Sequence, residues 1–408
     1  MVLSITQGYI FARLIGKSRG TKKAKAYLII SLVLSLGMLG VFKYANFFAE
    51  SFATVFGLKI AALNIALPIG ISFYTFQLIS YVIDVYRADV EPQRDYVAFA
   101  AYISMFPQLI AGPIVRYSDI EAELTARAYG ADKAAYGARR FILGLGKKVL
   151  IANVLAELVN AFKASGEKST LFYWVYAAAY MLHVYFDFSG YSDMAIGLGA
   201  IFGFTFPENF NYPYIAASIT EFWRRWHMSL SSWFRDYVYI PLGGSRVKKS
   251  RALLNIATVW MLTGLWHGAD WNFVMWGIMF AALLIAEKTL FLGFIKKHRA
   301  IGHIYTLFFV MLCFIMFDAS GVKEGFETIA ALFGANAADN TEALYYLRSY
   351  TVPLTVAALW KRIKQGDKEA AVLLFYTPKA KSSFLALQGL PGKPHKKRPL
   401  IRGLFGSA

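Results

Sequence analysis

The chain has 408 residues, 57% of them hydrophobic and only 17% charged. That balance excludes an ordinary soluble domain. The formal charge of +18 would point to nucleic acid in a soluble protein. Here the lysines and arginines cluster between apolar runs, the pattern of cytoplasmic loops facing anionic lipid, so the expected surface partner is the lipid bilayer and no nucleic acid.

The first residues, MVLSITQGYIFARLIGKSRG, lack a basic start and a small-residue cleavage site, so they read as the end of an apolar helix rather than a cleavable signal. A basic loop is expected from Arg13 to Lys25, and Tyr27 to Phe42 is a first, short span. Ile60 to Val85 is longer, but Pro68 and Gly70 break it. YVAFAAYISMFPQLIAGPIVRYSDI is interrupted by Pro107, Gly112 and Pro113. Broken backbone at membrane depth survives only when it is buried in protein or lines a cavity, so two such segments point to an internal chamber.

A polar loop is expected at Glu121 to Lys133, then apolar segments at Arg139 to Phe162 and Leu171 to Phe188. Gly190, Gly197, Gly199 and Gly203 follow and permit close helix approach. Further spans are Trp271 to Glu287 and Tyr305 to Phe317, separated by a basic loop at Lys296 to Arg299. The runs are continuously apolar rather than alternating, which argues against a membrane β-barrel. Three regions result: 1–26, an apolar segment with its basic loop; 27–360, the transmembrane domain; and 361–408, a tail with 11 Lys or Arg against 2 Asp or Glu, read as cytoplasmic or disordered. The single cysteine, Cys313, sits in an apolar run, so it forms no internal disulfide and thiolate chemistry is not expected there.

The chemistry concentrates between Glu221 and Gly277. His267 closes an almost uncharged run from Leu253 to Trp266, and ionisable groups at such depth point to function by default. A neutral imidazole there can take a hydroxyl proton and return it to a leaving group; the alternative is a structural histidine inside a helix bundle. Gly264 and Gly268 leave room beside it for a substrate or another helix. His227 stands among Arg224, Arg225, Arg235 and Asp236. It can orient an acceptor, but the residues alone favour an interfacial histidine in a tryptophan belt. The three arginines can bind phosphate or carboxylate, or hold an amphipathic helix at the headgroups. His183 and Asp187 share a helix face, with Asp193 nearby, but no third ligand has convincing spacing, so no metal is expected. There is no P-loop, no GxSxG elbow and no dinucleotide fingerprint.

FWRRWHMSLSSWFRDYVYIPLGGSR followed by LTGLWHGADWNFVMWG resembles the membrane-bound O-acyltransferase family, and within it the alginate O-acetyltransferase membrane-subunit group. PQLIAGPIVRY and YFDFSGYSDMAIGLG also resemble motifs of that group, and the resemblance covers about Leu28 to Phe333. IPLGGSR separates the chain from the D-alanyl-transferring members, which look similar elsewhere.

The resemblance implies an all-α polytopic membrane protein, a ring of tilted and broken helices around a central tunnel, in the inner (plasma) membrane. It implies that His267 is the catalytic histidine, base or transient acyl carrier, and that His227 is a second functional position. Trp223, Arg235, Asp236 and Tyr239 would then shape the tunnel wall or fix the amphipathic segment. No tightly bound cofactor is implied; an acyl-thioester donor, acetyl-coenzyme A foremost, is a substrate used from the cytoplasmic side. The acyl group then passes to an exported or periplasmic acetyltransferase partner, which esterifies a polysaccharide. The family pattern also has one or two further apolar helices before the position of Met1, and another span where this chain has Lys361 to Ala408. The competing classes are D-alanyl transfer to a surface polymer, a transporter whose histidines relay protons, and a non-catalytic scaffold.

Overall fold

The computed structural model describes residues 1–61, 63–166, 168–334 and 339–364. Among these residues every regular element is helical and none is a strand, as an all-α membrane protein requires. The chain forms two compact units, Met1–Lys148 with Asp187–Ala330, and Val149–Phe186 with Ala331–Ala408.

In the first unit, α1 (Val2–Lys17), α2 (Lys22–Leu39) and α4 (Ile71–Arg87) pack together. Buried polar contacts fasten α1 to α2: Gln7 donates to Ser35 at 2.7 Å and accepts from Ser31 at 3.2 Å. Such bonds hold helices together where lipid tails give no hydrophobic drive. α2 continues through a π-turn (Gly40–Tyr44) into α3 (Ala45–Phe56), and Lys22–Phe56 is long and apolar enough to cross a membrane. The loop expected at Arg13 to Lys25 shrinks to residues 18–21. Arg13 and Lys17 belong to α1, while Lys22, Lys23 and Lys25 open α2 behind Thr21, whose hydroxyl accepts from the Ala24 amide. Lysine and arginine are good helix formers, so basic clusters at helix ends prolong the helices.

The expected break before α4 is present. Residues 58–61 and 63–70 are not helical, and Gly70 takes a φ of 74°, where a side chain would also meet the Leu109 carbonyl. The second broken stretch gives α5 (Tyr96–Ser104), α6 (Phe106–Leu109) and irregular chain up to α7 (Tyr117–Thr125). The Glu121 to Lys133 loop is shorter than expected, because α7 runs to Thr125 and α8 (Ala131–Gly146) starts at Ala131.

A π-turn (Lys147–Ala152) leads to α9 (Asn153–Ala164), and α10 (Thr170–Ile201) is continuous through the glycine-rich stretch. Gly144 and Gly190 face each other backbone to backbone, as do Gly137 and Gly197, so α8 and the end of α10 cross closely. Asp193 lies at this crossing and pairs with Arg140 at 2.6 Å and Lys147 at 2.7 Å.

The central stretch breaks into short elements before one long helix. It comprises α11 (Ile219–Trp223), α12 (Met228–Phe234), a π-turn (Arg235–Tyr239) and α13 (Lys249–His267). α14 (Trp271–Ala286) folds back on α13 as a hairpin and continues through a π-turn (Glu287–Phe291) into α15 (Leu292–Lys297). The buried Glu287 carboxylate accepts from the Ile219 and Thr220 amides, so it caps α11. α16 (Arg299–Asp318) follows with one residue between, so Lys296 to Arg299 is a helix junction, not a loop. Trp271–Lys297 and Arg299–Asp318 are each long and apolar enough to span, and both exceed the spans expected there. Cys313 is free and buried in α16.

α17 (Val322–Ala331) ends where the second unit resumes. That unit contains α9, the first half of α10, α18 (Thr341–Ser349) and α19 (Thr351–Lys364). Lys361–Lys364, counted with the tail in the sequence, closes α19. The rest of the expected tail lies outside the described residues.

Candidate active site

His227 opens α12 with φ 43° and ψ 54°, the left-handed region, which a histidine visits only when its surroundings over-determine it. It is 1% exposed. The interfacial setting read from its arginine neighbours is therefore wrong: the chain turn at residue 227 sends the imidazole inward. Phe188 meets the ring edge-on at 4.7 Å.

The buried amide of Asn209 fixes the tautomer. Its Nδ2 donates to Ser192 at 3.1 Å, while Oδ1 accepts from the Ser229 amide at 3.2 Å and the Ser229 hydroxyl at 2.9 Å. Oδ1 is thus the acceptor, and His227 Nδ1, 3.1 Å away, carries the proton that it receives. Nε2 is left with its lone pair, buried and with no hydrogen-bond partner among the described residues. A base oriented by a third group is the arrangement that proton transfer needs.

His267 closes α13 and makes no hydrogen bond to the described residues. Rings surround it: Trp266 at 4.9 Å, Trp276 at 5.0 Å and Phe317 at 5.3 Å. Trp266 also meets His227 at 5.9 Å, so one indole touches both imidazoles. The room left by Gly264 and Gly268 is taken by α14. A side chain at Gly264 would collide with the Phe273 backbone, and Gly277 of α14 lies against the Trp260 carbonyl.

Lys43 was not singled out from the sequence. Its ammonium donates to the Trp266 carbonyl and, at 3.0 Å, to the Ser72 hydroxyl. Tyr44 donates to the Leu265 carbonyl at 2.6 Å. The last turn of α13 has carbonyls without helical partners, and these two side chains satisfy them immediately before His267. The available signal was one lysine in an otherwise apolar span, dismissed by ending that span at Phe42. Asn209 gave no signal, because its role depends on the chain turning back at residue 227.

A cavity of about 890 Å³ is lined by residues of α11, α12 and α13, and neither histidine lines it. Trp223, Arg235 and Tyr239 line it, as does Arg224, with Lys288 from the π-turn after α14. Trp223 is packed between Trp260 at 4.5 Å and Phe280 at 5.0 Å. Asp236 is engaged elsewhere: it pairs with Arg235 at 2.6 Å and with Arg116 at 2.9 Å, which ties the π-turn to the segment before α7. Arg225 is held by Glu221 at 2.9 Å.

The residues weighed as metal ligands stand apart. His183 bonds the Ala152 carbonyl at 2.9 Å, Asp187 pairs with Lys148, and Asp193 pairs with Arg140 and Lys147. Among the described residues no three His, Cys, Asp or Glu side chains gather.

Fold and site together define a helical membrane protein that keeps two histidines on one buried indole and has a cationic aromatic cavity against the neighbouring helices. Residues 93–322 match the model of the MBOAT, membrane-bound O-acyltransferase, family, and the chain belongs to that family. It is 45% identical over 318 residues to a probable alginate O-acetylase of Azotobacter vinelandii, covering 77% of this chain and 64% of that protein. It is 44% identical over 320 residues to the probable alginate O-acetylase of Pseudomonas aeruginosa, covering 77% and 61%. To a peptidoglycan O-acetyltransferase of Helicobacter pylori it is 32% identical over 368 residues, covering 82% and 70%. The match thus spans less than two thirds of the length of the two alginate O-acetylases.

Proposed function

We propose that the chain is a membrane O-acyltransferase that moves an acetyl group from a cytoplasmic thioester donor, acetyl-coenzyme A foremost, for O-acetylation of an exported polysaccharide or cell-wall glycan. The observation that carries this reading is the placement of His227 and His267 on the two contacts of Trp266. The printed names of the relatives, alginate O-acetylase and peptidoglycan O-acetyltransferase, support a carbohydrate acceptor.

In this reading the cavity beside Trp223 is part of a tunnel between tilted helices. Arg224, Arg235 and Lys288 give it a cationic lining suited to the phosphates of a coenzyme thioester, and Tyr239 and Trp223 form apolar wall for the acyl arm. His267 takes the proton of the attacking hydroxyl and returns it to the leaving sulfur. His227, with Nε2 free, holds the acceptor hydroxyl or assists that transfer. The protein works in the inner membrane and hands the acyl group to an exported acetyltransferase.

The test is glycan acetyl content in a deletion strain complemented with each variant at matched membrane abundance. His267→Ala should lower acetylation by about 10²–10⁴-fold, the usual contribution of general base catalysis. Normal acetylation in that variant removes the assignment. Loss of D-alanine esters, or of solute uptake, with glycan acetylation intact would give the function to a competing class.

A further inference from the structure

Besides Nε2 of His227, two polar atoms on α14 are buried with no hydrogen-bond partner among the described residues. One is the indole Nε1 of Trp276; the other is Oδ1 of Asn272, one helical turn earlier on α14. Each side chain is 2% exposed. The Asn272 orientation is fixed, because its Nδ2 donates to the Phe317 carbonyl at 3.2 Å and the Ala319 carbonyl at 2.7 Å, which leaves Oδ1 on the other side.

The neighbours of Trp276 explain why its N–H is idle. They are rings: His267 at 5.0 Å, Phe280 at 5.1 Å, Phe317 at 5.5 Å and Trp223 at 5.7 Å. A donor facing aromatic carbon recovers only a fraction of a hydrogen bond. Leaving a buried donor unmade costs about 1–3 kcal/mol, a cost that a purely apolar ring would not carry. A donor retained at such a place fits a ligand acceptor that arrives during the reaction.

We propose that the Trp276 N–H binds the carbonyl oxygen of the acyl thioester and holds the charge that develops there. This rests on the acyl-transfer reading. The acceptor hydroxyl oxygen forms a bond to the carbonyl carbon, and the carbonyl π pair moves onto oxygen, where the Trp276 N–H stabilises it. His267 takes the hydroxyl proton. The pair then returns to carbon, the carbon–sulfur bond breaks, and the thiolate receives the proton from His267, giving an ester and a free thiol. Fixed donors aimed at a developing oxyanion are worth about 10²–10³-fold in kcat each. Trp276 is therefore a catalytic residue in this scheme, distinct from the base.

The experiment compares Trp276→Phe, His267→Ala and the unchanged protein in inverted membrane vesicles that carry the host's own acceptor. Acetyl-coenzyme A is supplied over a concentration series, and release of coenzyme A is measured at matched abundance. Trp276→Phe should lower the rate at saturating donor by about 10²–10³-fold, with the half-saturating concentration changed less than about threefold. A wild-type rate in Trp276→Phe, with His267→Ala silent, overturns the donor role alone. A raised half-saturating concentration with an unchanged maximal rate also overturns it, since that means ground-state binding. Full activity in His267→Ala overturns the underlying reading instead. A drop in melting temperature of the Trp276→Phe protein in detergent, with no change in rate, means the indole is packing only.

Discussion

Asn209 accepts the Nδ1 proton of His227 at 3.1 Å and thereby leaves Nε2 of that buried ring as a bare lone pair. Eighteen residues separate the two, and the link forms because residue 227 takes a left-handed backbone.

Asn209→Ala should release that orientation. We expect acetylation to fall by about 10²-fold, the cost of about 1 Å of misplacement at a reacting group. The change also strands the Ser229 amide and its hydroxyl, so a stability loss of about 1–3 kcal/mol should accompany it. Acetyl content per unit of membrane protein, read beside a detergent melting curve, separates the two effects. Unaltered specific acetylation would remove Asn209 from the site.

Lys43→Met should lower acetylation more than Lys43→Arg. Methionine keeps the stem volume but deserts the Trp266 carbonyl and the Ser72 hydroxyl, whereas arginine retains a cation at the α13 terminus. A partly buried cation at a helix C-terminus is worth up to about 2 kcal/mol. Equal activity in both variants would mean that only bulk matters at position 43. Replacement by Cys followed by alkylation with 2-bromoethylamine restores an ammonium and should restore activity; the one native cysteine is buried.

Gly264→Leu should reduce folded protein in the membrane, whatever its chemistry. The added side chain meets the Phe273 backbone, which cannot move without separating α13 from α14. Forced overpacking costs about 1–3 kcal/mol or more. The check is the yield of monodisperse protein from detergent extracts, and a wild-type yield would refute the close crossing.

Asp236 lies outside the long spans and sets a pH dependence. Burial alone would raise its carboxyl, but the Arg235 and Arg116 guanidiniums outweigh burial and hold it below its ordinary value. A group depressed in the folded state contributes stability at neutral pH and loses it as pH falls through the folded value. Asp236→Asn should therefore melt lower than the unchanged protein at pH 7, with the gap closing below about pH 4. A gap that persists in strong acid would assign the difference to something other than charge.

How much could be read beforehand varies with the range of the interaction. The all-α class followed from unbroken apolar runs, and the breaks at Pro68–Gly70 and around Pro107–Pro113 followed from residue chemistry. Both are local. Loop lengths failed for a local reason as well: Lys22, Lys23 and Lys133 were read as loop because they are charged, yet lysine continues a helix readily. The site was legible only as candidates. Trp223, Arg235 and Tyr239 do share a cavity, and both histidines meet Trp266, but Asp236 turns to Arg116, a partner 120 residues away. Lys43 and Asn209 escaped notice because their partners come from distant segments, which one sequence without pairing information does not reveal.

The bare backbone contact between Gly264 and α14 pins one helix lengthwise against the other. Two helices that touch through side chains can slip and repack; two that touch through glycine and carbonyl have one register. His267 sits three residues beyond that contact, so its position along the hairpin is set by the register of α13 against α14. Slippage by a single residue would carry the imidazole along the helix axis by about 1.5 Å. That exceeds the roughly 1 Å that a reacting group tolerates. Membranes of different thickness should therefore tilt or strain the hairpin as a block while the imidazole keeps its distance from Trp276.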